Sequence, residues 1–429
     1  MNQRLVITGI GPVTCLGLGK SATWAALQKK ESPFSVISEF IGGELWDSYP
    51  LAIVNELDIG SIGISGQRIK ALTQTENNRD LLLFAAAAKL AVNDSGLSFA
   101  PENNRIGLVM SHENPGFDEY TRQIWRAMEG HPIPVEKSLS DHIRALYKQV
   151  ERFGYQTHSF VLLQQLTALL NTHGPVLSVN NACSSGLFAL ETAAQWIRSG
   201  HADAMIIVCG DSPRLITRFL WLKAAQNCAL DGIMRPFDRN RNGFVLGEGA
   251  AAVVLETLAS ANRRGVSCYT EYLGGAFRSD AWKLMVPAVK PNLYQEAIEE
   301  ALRTTCKEPA DVDLLIPHGA ATAIQDRYEA IAINRVFTSE PRSTAVTALK
   351  PYVGHTLAGS SLIEFVLAVI GLSKGVVLPT LNWNTPDENV GFEPVRNLTQ
   401  MAVETWMKTA TGFGGFNAAC VFSQAGLDS

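Results

Sequence analysis

The residues best placed for covalent chemistry are one cysteine and two histidines. In the run from Val176 to Leu187 an apolar, strand-like stretch gives way to a helical pattern, with Cys183 at the junction. Leu187, Leu190, Ala194 and Ile197 then share one helix face, and Ser199-Gly200 ends it. A thiol at a helix N-terminus meets free backbone N–H groups and the positive end of the dipole, which favour the nucleophilic thiolate. His318 and His355 stand in similar settings, each after a strand-like run and ahead of a helical one. Strand ends that lead into helices gather at one edge of an α/β sheet, so the three residues can converge. The run from Thr411 to Asn417, dense in glycine around Phe413, is a turn whose backbone N–H groups can approach a ligand closely, as an oxyanion hole requires.

Each of these residues also has a plainer reading. The chain has seven cysteines (15, 183, 209, 228, 268, 306 and 420), and a free cysteine is commonly a small core residue. None forms a CxxC pair and the count is odd, so neither a zinc site nor a disulfide framework is expected, and a reducing compartment follows. A lone histidine is usually an ordinary polar residue, but two at equivalent strand ends weigh against that. Gly9-Ile10-Gly11 lacks the third glycine of a dinucleotide fingerprint, since Thr14 stands there.

The elements that must position these groups alternate along the chain. Strand-like runs at Leu5–Thr8, Ile106–Met110, Leu177–Asn180, Ala204–Val208 and Ala251–Leu255 are interleaved with helices over Arg79–Asp94 and after Cys183. A second series places strands at Tyr269–Leu273, Leu314–Pro317, Thr344–Ala348 and Ala418–Phe422, with helices over Leu293–Thr304, Asp326–Val336 and Leu357–Leu372. This predicts an α/β protein of two similar halves, 1–260 with the cysteine and 261–429 with the histidines. The polar, helix-forming stretch 116–165, interrupted by Trp125, His131, Pro132 and Pro134, is expected to be the least regular part, an insertion capping the core.

Composition narrows the function. With 429 residues, 46% hydrophobic and 18% charged, the chain buries a large core, and a net charge of -5 with scattered basic residues argues against nucleic acid. The N-terminus reaches Gly9 before any signal-peptide core forms, and Leu362–Leu372 is too short and, with Glu364 inside it, too charged for a membrane span, so a cytoplasmic enzyme without membrane attachment is expected.

Taken in order, Val6-Ile-Thr-Gly9-Ile-Gly11, Ala182-Cys183-Ser-Ser-Gly186, Arg235-Pro-Phe-Asp238 through Gly249, His318-Gly, Asp326-Arg-Tyr-Glu329, Lys350, Gly354-His355 and Gly412-Phe413-Gly-Gly-Phe416-Asn417 resemble the β-ketoacyl-acyl-carrier-protein synthases of the thiolase superfamily. The resemblance implies a thiolase-like fold, two halves forming a layered αβαβα core. It implies that Cys183 is the nucleophile acylated from a carrier thioester, with the N–H groups of Cys183 and Phe413 as the oxyanion hole. His318 and His355 match the pair that promotes malonyl decarboxylation, Lys350 and Glu329 the charged residues that order the site, and Thr322, Phe237 and Phe416 the pantetheine and substrate contacts. A position in a low-dielectric site near a helix N-terminus would keep His355 neutral. The implied partners are an acyl carrier protein and a second subunit, identical or a paralogous chain-length factor, with no metal and no cofactor beyond the carrier's phosphopantetheine.

The chain departs from that pattern at three places. The usual His-Gly-Thr-x-Thr reads His318-Gly-Ala320-Ala321-Thr322, the glycine-rich stretch after the second strand reads Met110-Ser-His-Glu-Asn-Pro115, and Thr411 replaces a customary Phe. The run Gln325-Asp-Arg-Tyr-Glu329 leans toward ketosynthases of type II polyketide systems. The expected reaction is a decarboxylative Claisen condensation of malonyl carrier with an acyl chain on Cys183. The alternatives are a fatty-acid elongation synthase, a non-catalytic chain-length-determining subunit and an acyltransferase that no longer condenses.

Overall fold

The computed structural model describes residues 3–41, 43–55, 57–73, 78–99, 105–130, 138–337 and 344–425. Ten strands carry the main path of its central sheet: β1 (Leu5–Thr14), β2 (Ile106–Ser111), β3 (Val176–Ser178), β4 (Ala204–Asp211), β5 (Gly249–Thr257), β6 (Thr270–Ser279), β7 (Leu314–Ile316), β8 (Ala345–Val346), β9 (Thr405–Gly412) and β10 (Phe416–Gln424). Their spatial order is β8-β7-β9-β10-β6-β1-β5-β4-β2-β3.

That order contains a repeat. From the outer edge inward, β3-β2-β4-β5-β1 pair parallel, parallel, antiparallel, antiparallel. The other half, β8-β7-β9-β10-β6, pairs in the same sequence of senses, and β1 joins β6 antiparallel.

Side-chain alternation along the strands builds the layers. In β5, Ala251, Val253 and Leu255 point into one apolar cluster while Ala250, Ala252 and Val254 point into another; Met205 and Ile207 against Ile206 and Val208 do the same in β4. The second half divides likewise, Ala418, Cys420 and Phe422 facing one cluster and Ala419 and Val421 the other. The cluster shared by both halves holds the helices Ser185–Arg198 and Ser360–Leu372. Outside lie Arg79–Ser95 on one half and Leu293–Thr304 with Ala323–Val336 on the other. The result is the expected αβαβα layering.

Gly9 and Gly11 have a packing role. A Cβ at either would overlap the carbonyl oxygens of Ala91 and Ala87, so these glycines let the helix Arg79–Ser95 lie directly on β1.

Segment 116–165 forms helices where described, as expected: Phe117–Gly130, Leu139–Gly154 and the start of Ser159–Leu170. Trp125 does not interrupt them but lies inside the first and meets Trp46 edge-on at 5.9 Å, while His131, Pro132 and Pro134 fall outside the described residues. The helix expected from Leu357 begins at Ser360, because Leu357 has φ 49° and the chain first makes a short 3-10 turn. An antiparallel hairpin, Phe34–Ile41 with Glu44–Ala52, was not anticipated. Among the described residues no helix is long and apolar enough to cross a membrane.

Candidate active site

Cys183 sits in a turn held by its neighbours' hydroxyls. Ala182 has φ 50°, a left-handed conformation unusual for a residue with a side chain. Ser185 Oγ accepts the Asn181 N–H at 2.7 Å and donates to the Ala182 carbonyl at 2.6 Å, and Ser184 Oγ donates to the Asn181 carbonyl at 2.8 Å. The helix begins at Ser185, so the thiol lies just before it. Opposite, the Phe413-Gly414-Gly415 turn joins β9 to β10, with Gly414 and Gly415 at φ 84° and 74°. Gly412 lies so close to the cysteine turn that a Cβ there would stand 3.0 Å from Cys183 N.

The structure brings the three expected residues together. The Cys183 sulfur and a ring nitrogen of each of His318 and His355 lie within 4.8 Å of one another, and all three residues are buried. The imidazoles meet edge to face, centroids 5.4 Å apart. Leu357 N–H donates to His355 Nδ1 at 3.1 Å, and Lys350 Nζ lies 3.2 Å from His318 Nδ1. With Nδ1 accepting in both rings, Nε2 is the protonated nitrogen of each.

Beneath the histidines is a buried ionic layer. Lys350 Nζ donates to the His318 carbonyl at 2.6 Å and to Glu364 Oε1 at 2.6 Å, while the other oxygen of Glu364 takes Lys408 Nζ at 3.0 Å. Glu329 does a different job. Its carboxyl group accepts the backbone N–H groups of His318 at 2.8 Å and Gly319 at 3.1 Å, fixing the strand end that carries His318.

Burial sets the electrostatics. It drives the His318 pKa well below the ordinary histidine value, helped by Lys350, His355 and Lys408; His355 falls similarly through burial and Lys350. Burial pushes Glu329 up to about 8, with Asp326 adding to the rise. The Cys183 thiol is pushed up to about 12 by burial and by Glu113, against smaller opposing effects of Lys350 and the N–H groups of Phe413 and Cys183. The thiolate expected from the helix N-terminus is therefore not favoured, because desolvation of the sulfur outweighs the helix end.

Cys183, His318 and His355 line a cavity of about 520 Å³ that also takes in Phe413, Thr322, Ala320 and Phe244. Phe244, which sequence reasoning missed, packs on His355 at 4.7 Å. Thr322 caps the helix Ala323–Val336 by accepting the Gln325 N–H, and its hydroxyl proton remains available to a ligand. Phe237 and Phe416 are not brought to the cavity. Phe237 is fully buried behind the His318-Gly319 segment against Phe392, and Phe416 contacts Phe188. Glu364 and Lys408 were missed as site residues, although Glu364 announces itself as a lone carboxylate in an apolar helix.

Two family descriptions match the chain: "Beta-ketoacyl synthase, N-terminal domain" over residues 2–261 and "Beta-ketoacyl synthase, C-terminal domain" over 269–384. The chain is 32% identical to the tetracenomycin polyketide synthase ketoacyl synthase alpha subunit of Streptomyces glaucescens, over 98% of this chain and 97% of that one. It is 29% identical to 3-oxoacyl-[acyl-carrier-protein] synthase 2 of Coxiella burnetii, over 98% and 99%. The fold superposes on the ishigamide ketosynthase/chain length factor with a TM-score of 0.83 at 24% identity, covering 99% of this chain and 100% of that one. With both family descriptions matched in order and relatives aligned end to end, the chain belongs to the β-ketoacyl synthase family of acyltransferases.

Proposed function

We propose that this protein catalyses decarboxylative condensation of malonyl carrier with an acyl chain on Cys183, in type II polyketide biosynthesis. The observation that carries this reading is the pair of buried imidazoles, each with Nδ1 occupied and Nε2–H left over, beside a thiol in the same cavity. Two neutral N–H donors suit an enolate oxygen.

Cys183 attacks the incoming thioester, the acyl group moves to its sulfur, and the thiol proton ends on the released pantetheine. The oxyanion of each tetrahedral intermediate is held by the N–H groups of Cys183 and Phe413. Malonyl thioester then loses its carboxylate as CO2, and the electron pair left on carbon becomes an enolate held by His318 and His355. That carbon attacks the acyl-cysteine, the C–S bond breaks, and the Cys183 thiolate takes up a proton. Lys350 and Glu329 position His318, Thr322 hydrogen-bonds an amide of the arm, and Phe237 supports this wall from behind. No free cofactor enters these steps. The same three atoms have the spacing of a metal site, but two buried lysines nearby disfavour a dication.

The polyketide assignment draws on the tetracenomycin relative, and the intact Cys183 with both histidines supports a catalytic over a chain-length-determining subunit. Carrier protein is the substrate partner. The apolar edge strand β3, with Val176 42% and Leu177 40% exposed, supports a second copy or a paralogous subunit pairing there in the cytoplasm. Intact-mass analysis after incubation with acyl and malonyl carrier tests the reading. It expects an acyl adduct on Cys183 and a carrier-bound product extended by two carbons; product formation unchanged in Cys183→Ala would overturn it.

A further inference from the structure

The two imidazoles are anchored by different means. His318 rests on Lys350 and Glu329, whereas His355 depends on the turn that follows it. Leu357, whose N–H fixes His355 Nδ1, has φ 49°, a strained conformation that persists only where its surroundings impose it. The next N–H of that turn, from Ala358, donates to Asp211 Oδ2 at 2.8 Å. Asp211 ends β4, and the turn also rests on the residue before it, since a Cβ on Gly359 would stand 2.8 Å from Gly210 Cα. The other Asp211 oxygen is taken up elsewhere. Oδ1 lies 3.1 Å from His112 Nδ1 and accepts the Glu113 N–H at 3.2 Å, and His112 Nε2 in turn lies 3.1 Å from Asp80 Oδ1 on the helix Arg79–Ser95. Asp211, His112 and Ala358 are all buried.

A carboxylate held at one oxygen has its second oxygen fixed in direction, and an N–H bound to a charged acceptor is held more firmly than one bound to a neutral oxygen. Losing that acceptor leaves the Ala358 N–H buried without a partner and frees Leu357 to relax out of its strained conformation, which withdraws the Leu357 N–H from His355 Nδ1. His355 Nδ1 then keeps only the Ser360 hydroxyl, 2.9 Å away, which can donate or accept and so fixes neither tautomer. We infer that Asp211, oriented by His112, is a positioning residue for His355: it holds the Leu357–Gly359 turn from the other half of the sheet and so sets the tautomer that faces the enolate. This rests on the condensing reading and deepens it by assigning what fixes the second imidazole.

The test combines a spectrum with a rate in wild type, Asp211→Ala and Asp211→Asn, the last keeping an oxygen for the Ala358 N–H. In protein carrying isotope-labelled histidine, the nitrogen resonances of His355 are identified by their loss in His355→Gln. They should show Nδ1 unprotonated and Nε2 protonated in wild type and in Asp211→Asn, and a mixture of tautomers in Asp211→Ala. For CO2 release from malonyl carrier, kcat should fall about 10- to 100-fold in Asp211→Ala, the size of one lost hydrogen bond to a charged group, with KM changed less than about twofold, and should stay within about threefold of wild type in Asp211→Asn. Asp211→Ser, too short to reach Ala358, carries the same expectation as Asp211→Ala should that variant not fold. A His355 spectrum in Asp211→Ala that matches wild type overturns the proposal, as does a rate loss of the same size in Asp211→Ala and Asp211→Asn. If wild type itself releases no CO2, the condensing reading fails, while the spectrum, recorded without substrate, still decides whether Asp211 sets His355.

Discussion

Glu364 reaches from the otherwise apolar helix Ser360–Leu372 to hold the Lys350 ammonium at 2.6 Å, with Lys408 on its other oxygen at 3.0 Å. All three side chains are buried, so the carboxylate is what makes two ammonium groups tolerable beneath His318. Removing one partner of such a set leaves uncompensated buried charge, which costs about 3–5 kcal/mol. Glu364→Leu should therefore lose stability on that scale in denaturant unfolding, and adding Lys408→Met should recover part of it.

Lys350→Met separates the two half-reactions. It removes the donor that keeps His318 Nδ1 as an acceptor while leaving the cysteine turn intact. Cys183 acylation by intact mass should persist within a few-fold, whereas CO2 release from malonyl carrier should fall about 100-fold or more, the scale of losing an oxyanion donor. Equal losses in both would show that Lys350 serves the fold rather than His318.

The thiol and the imidazoles give opposite pH signatures. With the Cys183 pKa pushed up to about 12, the thiolate fraction rises about tenfold per pH unit, so alkylation of Cys183 by iodoacetamide should climb from pH 7 to 10 without a plateau. Both histidines already lie well below their usual value and stay neutral across this range. Malonyl decarboxylation by Cys183→Ala should then show no histidine step from about pH 5.5 to 7.5, below the value of about 8 to which burial raises Glu329. A titration step near 6.5 would refute the neutral-pair assignment.

Gly186 is where the two central helices touch. Its N–H donates to Ser361 Oγ at 3.0 Å, and a Cβ there would stand 2.7 Å from Leu362 N. Gly186→Ala should wedge these helices apart and destabilise by about 1–3 kcal/mol despite the better helix propensity of alanine. A rise in melting temperature would show that the interface yields.

What the sequence revealed depended on how local the determinant was. The cysteine and the two histidines were legible because each sits between a strand period and a helix period, and position in an α/β sheet then brings them to one edge. The Thr322 cap explains why the helix expected from Asp326 begins at Ala323. The ionic layer was not legible, since Lys408 lies 44 residues from its partner and meets it only because β9 passes beside the central helix. The thiol's high pKa was hidden for a related reason: a helix end is written in adjacent residues, whereas desolvation comes from packing that only the fold supplies.

The repeat in strand order places two histidines at matching positions. His112 follows β2 as His318 follows β7, the second strand from the outer edge in each half. Their surroundings are inverted. His112 is clasped 3.1 Å from both Asp80 and Asp211, and although burial opposes it, those two carboxylates raise its pKa. His318 is pressed by lysines and burial toward the neutral form. One architectural slot, used twice, thus holds an imidazole drawn toward its charged form by carboxylates in one half and an imidazole pressed toward its neutral form in the other. The two are told apart by the charge of the neighbours each half recruits.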